Sequence, residues 1–261
     1  MKYAWIDKHR DQYAVSQLCR VLQVSRSGYC QWRVRPPSER TLADQSLDAK
    51  VAAIHQGSGR SYGRPRIVRS LRQQGEIVGA ERVRKSLQRQ GLRPVYKRPF
   101  VVTTDSGHGL PVAPNLLDRR FDGWGTDQAW VADITYVPTG QGWLYLAAVM
   151  DLASRRIVGW SMSETIDAAL VCTALQAAWW QRKPGKGLLV HTDRGSQYAS
   201  GRYRALAGKL DITMSMSRKA NAWDNAPMES FFKTLKVERV YQQRYATRSQ
   251  ARLDIVNWIE G

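Results

Sequence analysis

Cysteines, acidic residues and long apolar runs are all scarce in this 261-residue chain. The three cysteines, Cys19, Cys30 and Cys172, are too few and too scattered for a disulfide framework, and no CxxC pair suggests a zinc site. We expect them to be reduced, buried residues of a cytosolic protein. The longest apolar run, Trp143–Met150, is much shorter than a membrane helix, and the amino terminus lacks the apolar core of a signal peptide. The sequence therefore predicts a cytoplasmic protein without a membrane span.

The shortage of acidic residues is greatest in the first part of the chain. Lys and Arg number 40 against 22 Asp and Glu, a net charge of +18. Residues 1–100 hold 21 basic and 7 acidic residues, a net of +14, whereas residues 101–261 hold 19 and 15, a net of +4. This asymmetry predicts a nucleic-acid-binding module beside a nearly balanced second module. A basic ribosome-associated protein, or a merely soluble one, is the alternative that charge alone leaves open.

The first basic segment, residues 1–38, predicts a helix-turn-helix-like unit. Apolar residues recur at three- and four-residue spacing within residues 12–33, and the chain turns at residues 24–27 before a second short helix. Arg26 in that turn would be available to a DNA backbone. A plain helical hairpin is the alternative. Pro36-Pro37 then excludes helix and predicts a linker.

Residues 39–96 predict a second helix-turn-helix-like domain that binds DNA. Its last helix, residues 80–90, carries three cations in a stripe that no acidic residue interrupts, as a helix in the major groove requires. A solvated basic helix is the alternative. The predicted DNA contacts of this domain are Arg64, Arg66, Arg82, Lys85 and Arg89.

A connector rich in proline and glycine, residues 97–125, precedes the second module, and its Lys97 and Arg98 are predicted phosphate contacts. Residues 126–261 predict an α/β domain. The order is three strands in a meander, a long helix, and then strands and helices in alternation, with five strands in all. The tryptophans predicted to lie in its core are Trp160, Trp179 and Trp180.

Two of the predicted strands carry an aspartate, a residue that strands disfavour. Asp133 lies in the middle of the strand Trp130–Val137, and Asp193 ends the strand Leu188–Asp193. On adjacent strands, about 4.8 Å apart, these carboxylates would lie side by side. Asp151 ends a further strand and is not expected to bind a metal ion.

A third carboxylate lies near the start of a predicted helix. Pro227 suits the first helical turn because its missing N–H has no partner there. At 100° per residue, Lys233 lies about 40° and Lys236 about 20° from Glu229, so the three side chains share one face. Phe231 belongs to another face and is predicted to pack on a core. An exposed ion-paired helix is the alternative.

The spacing of these carboxylates suits metal chemistry. Fifty-nine residues separate Asp133 from Asp193, and 35 separate Asp193 from Glu229. Three converging carboxylates repel one another unless a cation lies between them. Carboxylate oxygens are the ligands that Mg²⁺ prefers, and two Mg²⁺ ions about 4 Å apart suit in-line attack on a phosphodiester. We therefore expect Asp133, Asp193 and Glu229 to hold two Mg²⁺ ions.

This triad resembles the D,D(35)E triad of retroviral-integrase-type polynucleotidyl transferases. The motifs WVADITY, HTDRGSQY and AWDNAPMESFFKTLKVE resemble the OrfB-type transposases of two-reading-frame bacterial insertion sequences, insertion-sequence family three. SYGRPRI is similar to the wording of that family's helix-turn-helix-like region. Lys236, seven residues after Glu229, occupies a position where the family usually has a basic residue.

The resemblance implies a ribonuclease-H-like catalytic domain and a DDE transposase. Such an enzyme cleaves a strand at each element end and joins the freed 3′-OH to target DNA. Asp133, Asp193 and Glu229 would be its catalytic residues, with Mn²⁺ able to replace Mg²⁺, and Lys233 and Lys236 would contact the phosphate beside the cut. Its expected partners are terminal inverted repeats, target DNA, further copies of the chain in a synaptic complex, and an upstream-frame OrfA product. Its expected location is the bacterial nucleoid.

Several expectations accompany the resemblance. The family usually continues past a sequence like Ile259-Glu260-Gly261, so we expect the catalytic domain to be truncated at its carboxy-terminal end. His191 would either contact substrate or be a satisfied structural histidine. We expect the loop before Glu229 to be ordered by Asn221, Trp223, Asp224 and Asn225. None of these residues is expected to be a metal ligand. A non-catalytic DNA-binding regulator derived from a transposase is the alternative function, and a ribonuclease-H-type nuclease is another.

Overall fold

The computed structural model describes residues 1–95, 109–219 and 221–261. It divides the chain into two compact units, residues 1–57 with 62–93 and residues 58–61 with 94–261. The predicted phosphate contacts Lys97 and Arg98 lie outside the described residues, and the predicted boundaries at residues 38, 96 and 125 stay predictions. Within the described ranges, no helix combines the length and the apolar character needed to cross a membrane.

The first unit is helical. Its helices are α1 (Lys2–His9), α2 (Val15–Val21), α3 (Arg26–Val34), α4 (Glu39–Gly57), α5 (Arg64–Gln73) and α6 (Ala80–Arg89). The hairpin of α2 and α3 packs with α1 around a small core, and Val24 in the predicted turn contacts that core. Sequence patterns did not predict α1 because only Ile6 of that helix is buried. The prediction that all three cysteines are buried was wrong for Cys30, which is exposed.

A second core in this unit joins α4, α5 and α6. Pro65 lies in the first turn of α5, and Gly75 ends that helix with a left-handed backbone (φ of +82°), which glycine adopts at little cost. α6 then returns along α4, and its buried residues Val83 and Leu87 meet Leu47 and Val51 of α4. The turn at Gly75 therefore allows α6 to pack on α4 beside α5.

The second unit contains a five-stranded mixed sheet. Its strands are β1 (Ala129–Thr139), β2 (Gly142–Asp151), β3 (Ile157–Ser163), β4 (Leu189–Thr192) and β5 (Thr213–Met216). Their order across the sheet is β3-β2-β1-β4-β5, with β1, β2 and β3 antiparallel and β4 and β5 parallel to β1. The predicted ribonuclease-H-like architecture is confirmed.

Helices cover both faces of the sheet. One face carries α7 (Ala168–Arg182), α8 (Ser196–Ala199) and α9 (Gly201–Lys209), and the other carries α10 (Ala226–Leu235) and α11 (Arg248–Glu260). Gly159 lets α7 approach β3, because a Cβ there would lie 2.4 Å from the backbone nitrogen of Ala178. The prediction that Trp180 is a core residue was wrong, since 72% of it is exposed.

Candidate active site

The pairing of β1 with β4 brings the two predicted aspartates to the same level of the sheet. Val131 of β1 is the parallel partner of His191 in β4. Two residues further along each chain lie Asp133 and Asp193, the latter one residue beyond the end of β4. Because neighbouring strands are about 4.8 Å apart, this register places the two residues side by side at the carboxyl end of β4.

Each aspartate has one carboxylate oxygen that accepts a backbone hydrogen bond. The N–H of Ile134 donates to Asp133 Oδ1 at 2.8 Å, and the N–H of Gly195 donates to Asp193 Oδ1 at 2.9 Å. A Cβ on Gly195 would lie 3.0 Å from that same Oδ1, so a larger residue would disturb the turn after β4. These bonds restrict the rotation of both carboxylates before any ligand arrives.

A buried asparagine joins α10 to the strand that carries Asp133. Asn225, immediately before α10, donates from Nδ2 to the carbonyl oxygen of Ala132 at 3.1 Å. Pro227 lies in the first turn of the helix, as predicted, and Met228 and Phe232 are buried against the sheet. Glu229 is exposed in the first turn of α10, four residues after the asparagine that contacts β1.

The pKa of Asp133 depends on the charges of both other predicted carboxylates. Burial raises the pKa of Asp133 well above its ordinary value, and the negative charges of Asp193 and Glu229 raise that pKa further. The hydrogen bond from Ile134 and the positive charge of Lys236 lower it. The ammonium of Lys236 lies 4.6 Å from the centre of the Tyr136 ring, a distance typical of a cation–π contact.

The chemistry of this donor set fits a hard divalent cation. All three groups are carboxylates, and a cation would relieve the repulsion that raises the pKa of Asp133. In the part of the chain that the structure describes, no three acidic, histidine or cysteine side chains are close enough to hold a metal ion as they stand. The charges of Asp193 and Glu229 are therefore close enough to affect Asp133. To hold a cation, the three side chains would have to move closer together.

Comparisons with known proteins identify the family. Residues 125–222 and 229–261 match two families described as integrase core domain, and residues 41–100 match the HTH-like domain. "Transposase InsF for insertion sequence IS3A" of Escherichia coli (strain K12) is 44% identical over all of this chain and 91% of its own length. The chain belongs to the IS3 family of insertion-sequence transposases.

Two further comparisons concern this transposase. The "Insertion element IS600 uncharacterized 31 kDa protein" of Shigella sonnei is 42% identical over 93% of this chain and 89% of its own length. The HTLV-2 integrase catalytic core domain, solved in complex with magnesium, is 17% identical with a TM-score of 0.39, over 53% of this chain and 84% of that chain. The predicted family is confirmed, and with it the polynucleotidyl transferase class to which integrase-core transposases belong.

His191 of the transposase is a structural histidine rather than a substrate contact. It is fully buried, with Nδ1 2.8 Å from Ser215 Oγ and Nε2 3.1 Å from Ser217 Oγ. Ser215 Oγ accepts the N–H groups of Leu116 and Leu117, so its own proton is directed at Nδ1. Nε2 consequently carries the ring proton and donates it to Ser217.

Asp224 is the centre of an ion-pair cluster next to the site. It is fully buried, and its carboxylate accepts Nε and Nη2 of Arg218 at 2.9 and 2.7 Å and Nε of Arg119 at 2.8 Å. Asn115 donates to it at 3.0 Å, and Arg119 also donates to Asn221. The cluster therefore fastens the loop before α10 to the connector. Asp151, the other carboxylate not expected to bind metal, accepts the N–H of Asp127 and both donors of Ser154.

Two of the predicted DNA contacts in the first unit are ion-paired within the unit itself. Arg82 pairs with Asp44 of α4 at 2.7 Å, and Arg89 donates to both oxygens of Asp48 of α4 at 3.0 and 2.6 Å. The α6 stripe therefore has acidic partners after all, but they belong to α4 and do not interrupt the stripe itself.

The other predicted DNA contacts of this unit are all exposed, namely Arg26, Arg64, Arg66 and Lys85. The guanidinium of Arg66 lies over the ring of Tyr62, 5.2 Å from its centre. The predicted DNA contacts are therefore of two kinds. Arg82 and Arg89 form ion pairs with α4, whereas the other four face solvent.

Sequence reasoning missed several residues that position this site. Arg119 and Arg218 were not predicted as partners of Asp224, and Asn225 was predicted only to order its own loop. The partner of Arg119 is 105 residues away and that of Asn225 is 93 residues away. No local spacing could reveal such pairs, because the sheet topology alone brings them together.

Proposed function

We propose that this transposase cleaves DNA strands at the ends of its insertion sequence and joins the freed 3′-OH to target DNA. Asp133, Asp193 and Glu229 would be its catalytic residues and would hold two Mg²⁺ ions, with Mn²⁺ as a substitute. The observation that supports this most directly is the pairing of β1 with β4, which brings Asp133 and Asp193 to one level of the sheet, and both other carboxylates raise the pKa of Asp133. A partly buried carboxylate with two like charges nearby is costly to ionise unless a cation accompanies it.

The chain's own residues would orient the reacting strands. Bound divalent ions would supply acidity to a water or a 3′-OH and stabilise the leaving oxygen. The ammonium of Lys236 lies 4.6 Å from the centre of the Tyr136 ring, and its charge lowers the pKa of Asp133, so Lys236 would contact a phosphate held next to the carboxylates. Lys233, exposed one turn earlier on α10, would contact a neighbouring phosphate.

The proposed partners follow from this chemistry. Terminal inverted repeats and target DNA would be the substrates, and two ends held together would require at least two copies of the chain. The exposed cations of the first unit, Arg26, Arg64, Arg66 and Lys85, would contact the phosphate backbone. An upstream-frame OrfA product, supplied in fusion, would complete the assembly.

The test is a strand-joining assay with the purified chain, alone and fused to the upstream-frame product. The DNA is a labelled duplex of the element's terminal repeat, supplied with a target plasmid and Mg²⁺ or Mn²⁺. We expect wild type to nick and join the duplex, and Asp193→Asn to bind it with unchanged affinity but to join none. Asp122→Asn, which changes an almost fully exposed surface carboxylate, is the matched control and should join normally.

The same assay, repeated with RNA–DNA hybrid and junction substrates, separates the alternative functions. A wild-type protein that binds the ends yet never nicks or joins them, even in the fusion, would be a DNA-binding regulator. A protein that cuts hybrids or junctions but never joins a 3′-OH would be a ribonuclease-H-type nuclease. Either result would overturn the proposed strand transfer.

A further inference from the structure

The loop before α10 directs its polar side chains inward and one tryptophan outward. Asp224 and Asn225 are buried, and Asn221 accepts a hydrogen bond from Arg119 at 3.0 Å. Trp223, between these anchored residues, has 75% of its surface exposed. The expectation that all four residues order the loop is therefore met by three of them, and the indole of Trp223 is left for another role.

The anchors hold the backbone beside this indole, and one of them joins it to the strand that carries Asp133. Asn225, two residues after Trp223, donates to the carbonyl oxygen of Ala132, the residue before Asp133. Two residues span at most roughly 7 Å of chain. The ion pairs of Asp224 with Arg218 and Arg119 hold the same short turn from the other side. The turn that carries Trp223 is thus held in place by the hydrogen bond of Asn225 and the ion pairs of Asp224.

The charges around the turn indicate what the indole would meet. Lys219 precedes the turn and Lys233 follows it, and both are exposed. An exposed aromatic side chain in a segment flanked in sequence by cations suits single-stranded nucleic acid, where phosphates contact the cations and a base stacks on the ring. An apolar protein partner would gain little from this surface, because a single indole bordered by charges offers no contiguous apolar patch.

We propose that Trp223 stacks on an unpaired base at the DNA end held by Asp133, Asp193 and Glu229. The inference rests on the proposed function, since it needs a DNA end at those carboxylates. Stacking would be tolerant of sequence, because every base has an aromatic face. Stacking would hold a terminal base that has already left the helix, so that one strand lies along the carboxylates.

The experiment uses the full chain and a duplex of the element's terminal repeat with 2-aminopurine at successive positions from the end. A base that leaves the helix and stacks on an indole stays quenched, whereas one that leaves the helix without a partner becomes bright. At one position we expect wild type to keep emission low and Trp223→Ala to raise it several-fold, with about tenfold weaker binding of the duplex. Trp223→Phe should restore part of both effects.

Trp180→Ala is the matched control. Trp180 is 72% exposed, but its helix α7 packs on the opposite face of the sheet from α10. It should match wild type in emission and affinity, and thermal melting should be the same for all variants because neither tryptophan lies in a core.

The outcomes separate this inference from the proposed function. If wild type joins ends and Trp223→Ala equals it in emission and affinity at every position, stacking is overturned and the joining chemistry stands. If emission depends on Trp223 but no joining occurs, stacking stands and strand transfer fails. A wild-type protein that binds no terminal repeat, alone or in the fusion, overturns both.

Discussion

His191 illustrates how a titratable residue beside Asp193 is kept out of the chemistry. Its two ring nitrogens are both occupied by serine hydroxyls, and burial lowers the pKa of His191 to about 4. The sequence could predict that this side chain lies on the same strand face as Asp193, but it could not distinguish a substrate contact from a structural role. Ser215 and Ser217, 24 and 26 residues away, make that distinction.

The pKa of His191 predicts a loss of stability in acid. Between the folded pKa of about 4 and the unfolded pKa of about 6.5, the unfolded chain binds the extra proton. The stabilisation that the neutral imidazole of His191 gives to the folded chain is therefore complete above pH 6.5. It is lost as the pH falls towards 4, and it amounts to on the order of 3 kcal/mol in all. Urea unfolding across this range should show a weaker pH dependence for His191→Asn than for wild type. Equal slopes, or a His191 imidazole that titrates near pH 6.5 by NMR, would contradict the assignment.

The loop before α10 is the element whose position the site depends on most. Sequence patterns predicted the helix, the role of Pro227 and the exposed face of Glu229. They could not predict that the helix is fastened to β1 through Asn225 or that Asp224 pairs with Arg119. Those contacts depend on the order of strands in the sheet rather than on any neighbouring residue.

Asp224→Asn should loosen this element. Removing the charge leaves two arginines with a weaker acceptor, but both are nearly half exposed, 46% for Arg119 and 47% for Arg218. We therefore expect a loss of about 2 kcal/mol in the free energy of unfolding, less than for a fully buried pair. Joining should fall by a larger factor than DNA binding, because Glu229 follows this loop. Asp122→Asn, at a surface ion pair, should change neither, and an Asp224→Asn enzyme with normal joining would show that the cluster does not position the site.

In the first unit, α6 has two kinds of cation. Hydrogen bonding from Arg82 lowers the pKa of Asp44, and hydrogen bonding from Arg89 lowers that of Asp48, so these arginines brace α6 against α4. Lys85 lies between them in sequence and is exposed. Sequence spacing correctly placed the three on one helix, but it could not show that α4 supplies carboxylates to two of them.

Lys85→Ala and Arg89→Ala should therefore differ. Lys85→Ala is expected to reduce the salt slope of DNA binding by about 1, the effect of one lost phosphate contact, with little change in stability. Arg89→Ala should lower the free energy of unfolding slightly, as expected for an exposed ion pair. Salt titrations of DNA affinity and urea unfolding measure the two effects. The reverse pattern would mean that Arg89 leaves Asp48 to contact DNA.

At the scale of the whole molecule, the charge asymmetry and the order of strands predicted most of the architecture. The order of three strands in a meander, a long helix and alternating strands and helices suggested the arrangement, and the resemblance to the transposase family implied the ribonuclease-H-like sheet. Besides α1, sequence patterns also missed α11, which begins with a capping box between Thr247 and Gln250 and packs on the face occupied by α10. Its weak apolar periodicity hides it among the polar residues of the carboxy-terminal part.

The central claim is that three distant carboxylates jointly hold divalent cations. Its most direct test is to measure Mn²⁺ binding to the purified protein by electron paramagnetic resonance. The proteins compared are wild type, Asp133→Asn, Asp193→Asn and Glu229→Gln. The account predicts saturable Mn²⁺ binding by wild type that each of the three substitutions weakens strongly, while Asp122→Asn binds like wild type. If wild type binds no Mn²⁺ with or without a DNA end, or if all three substitutions leave binding unchanged, the proposed metal site is wrong.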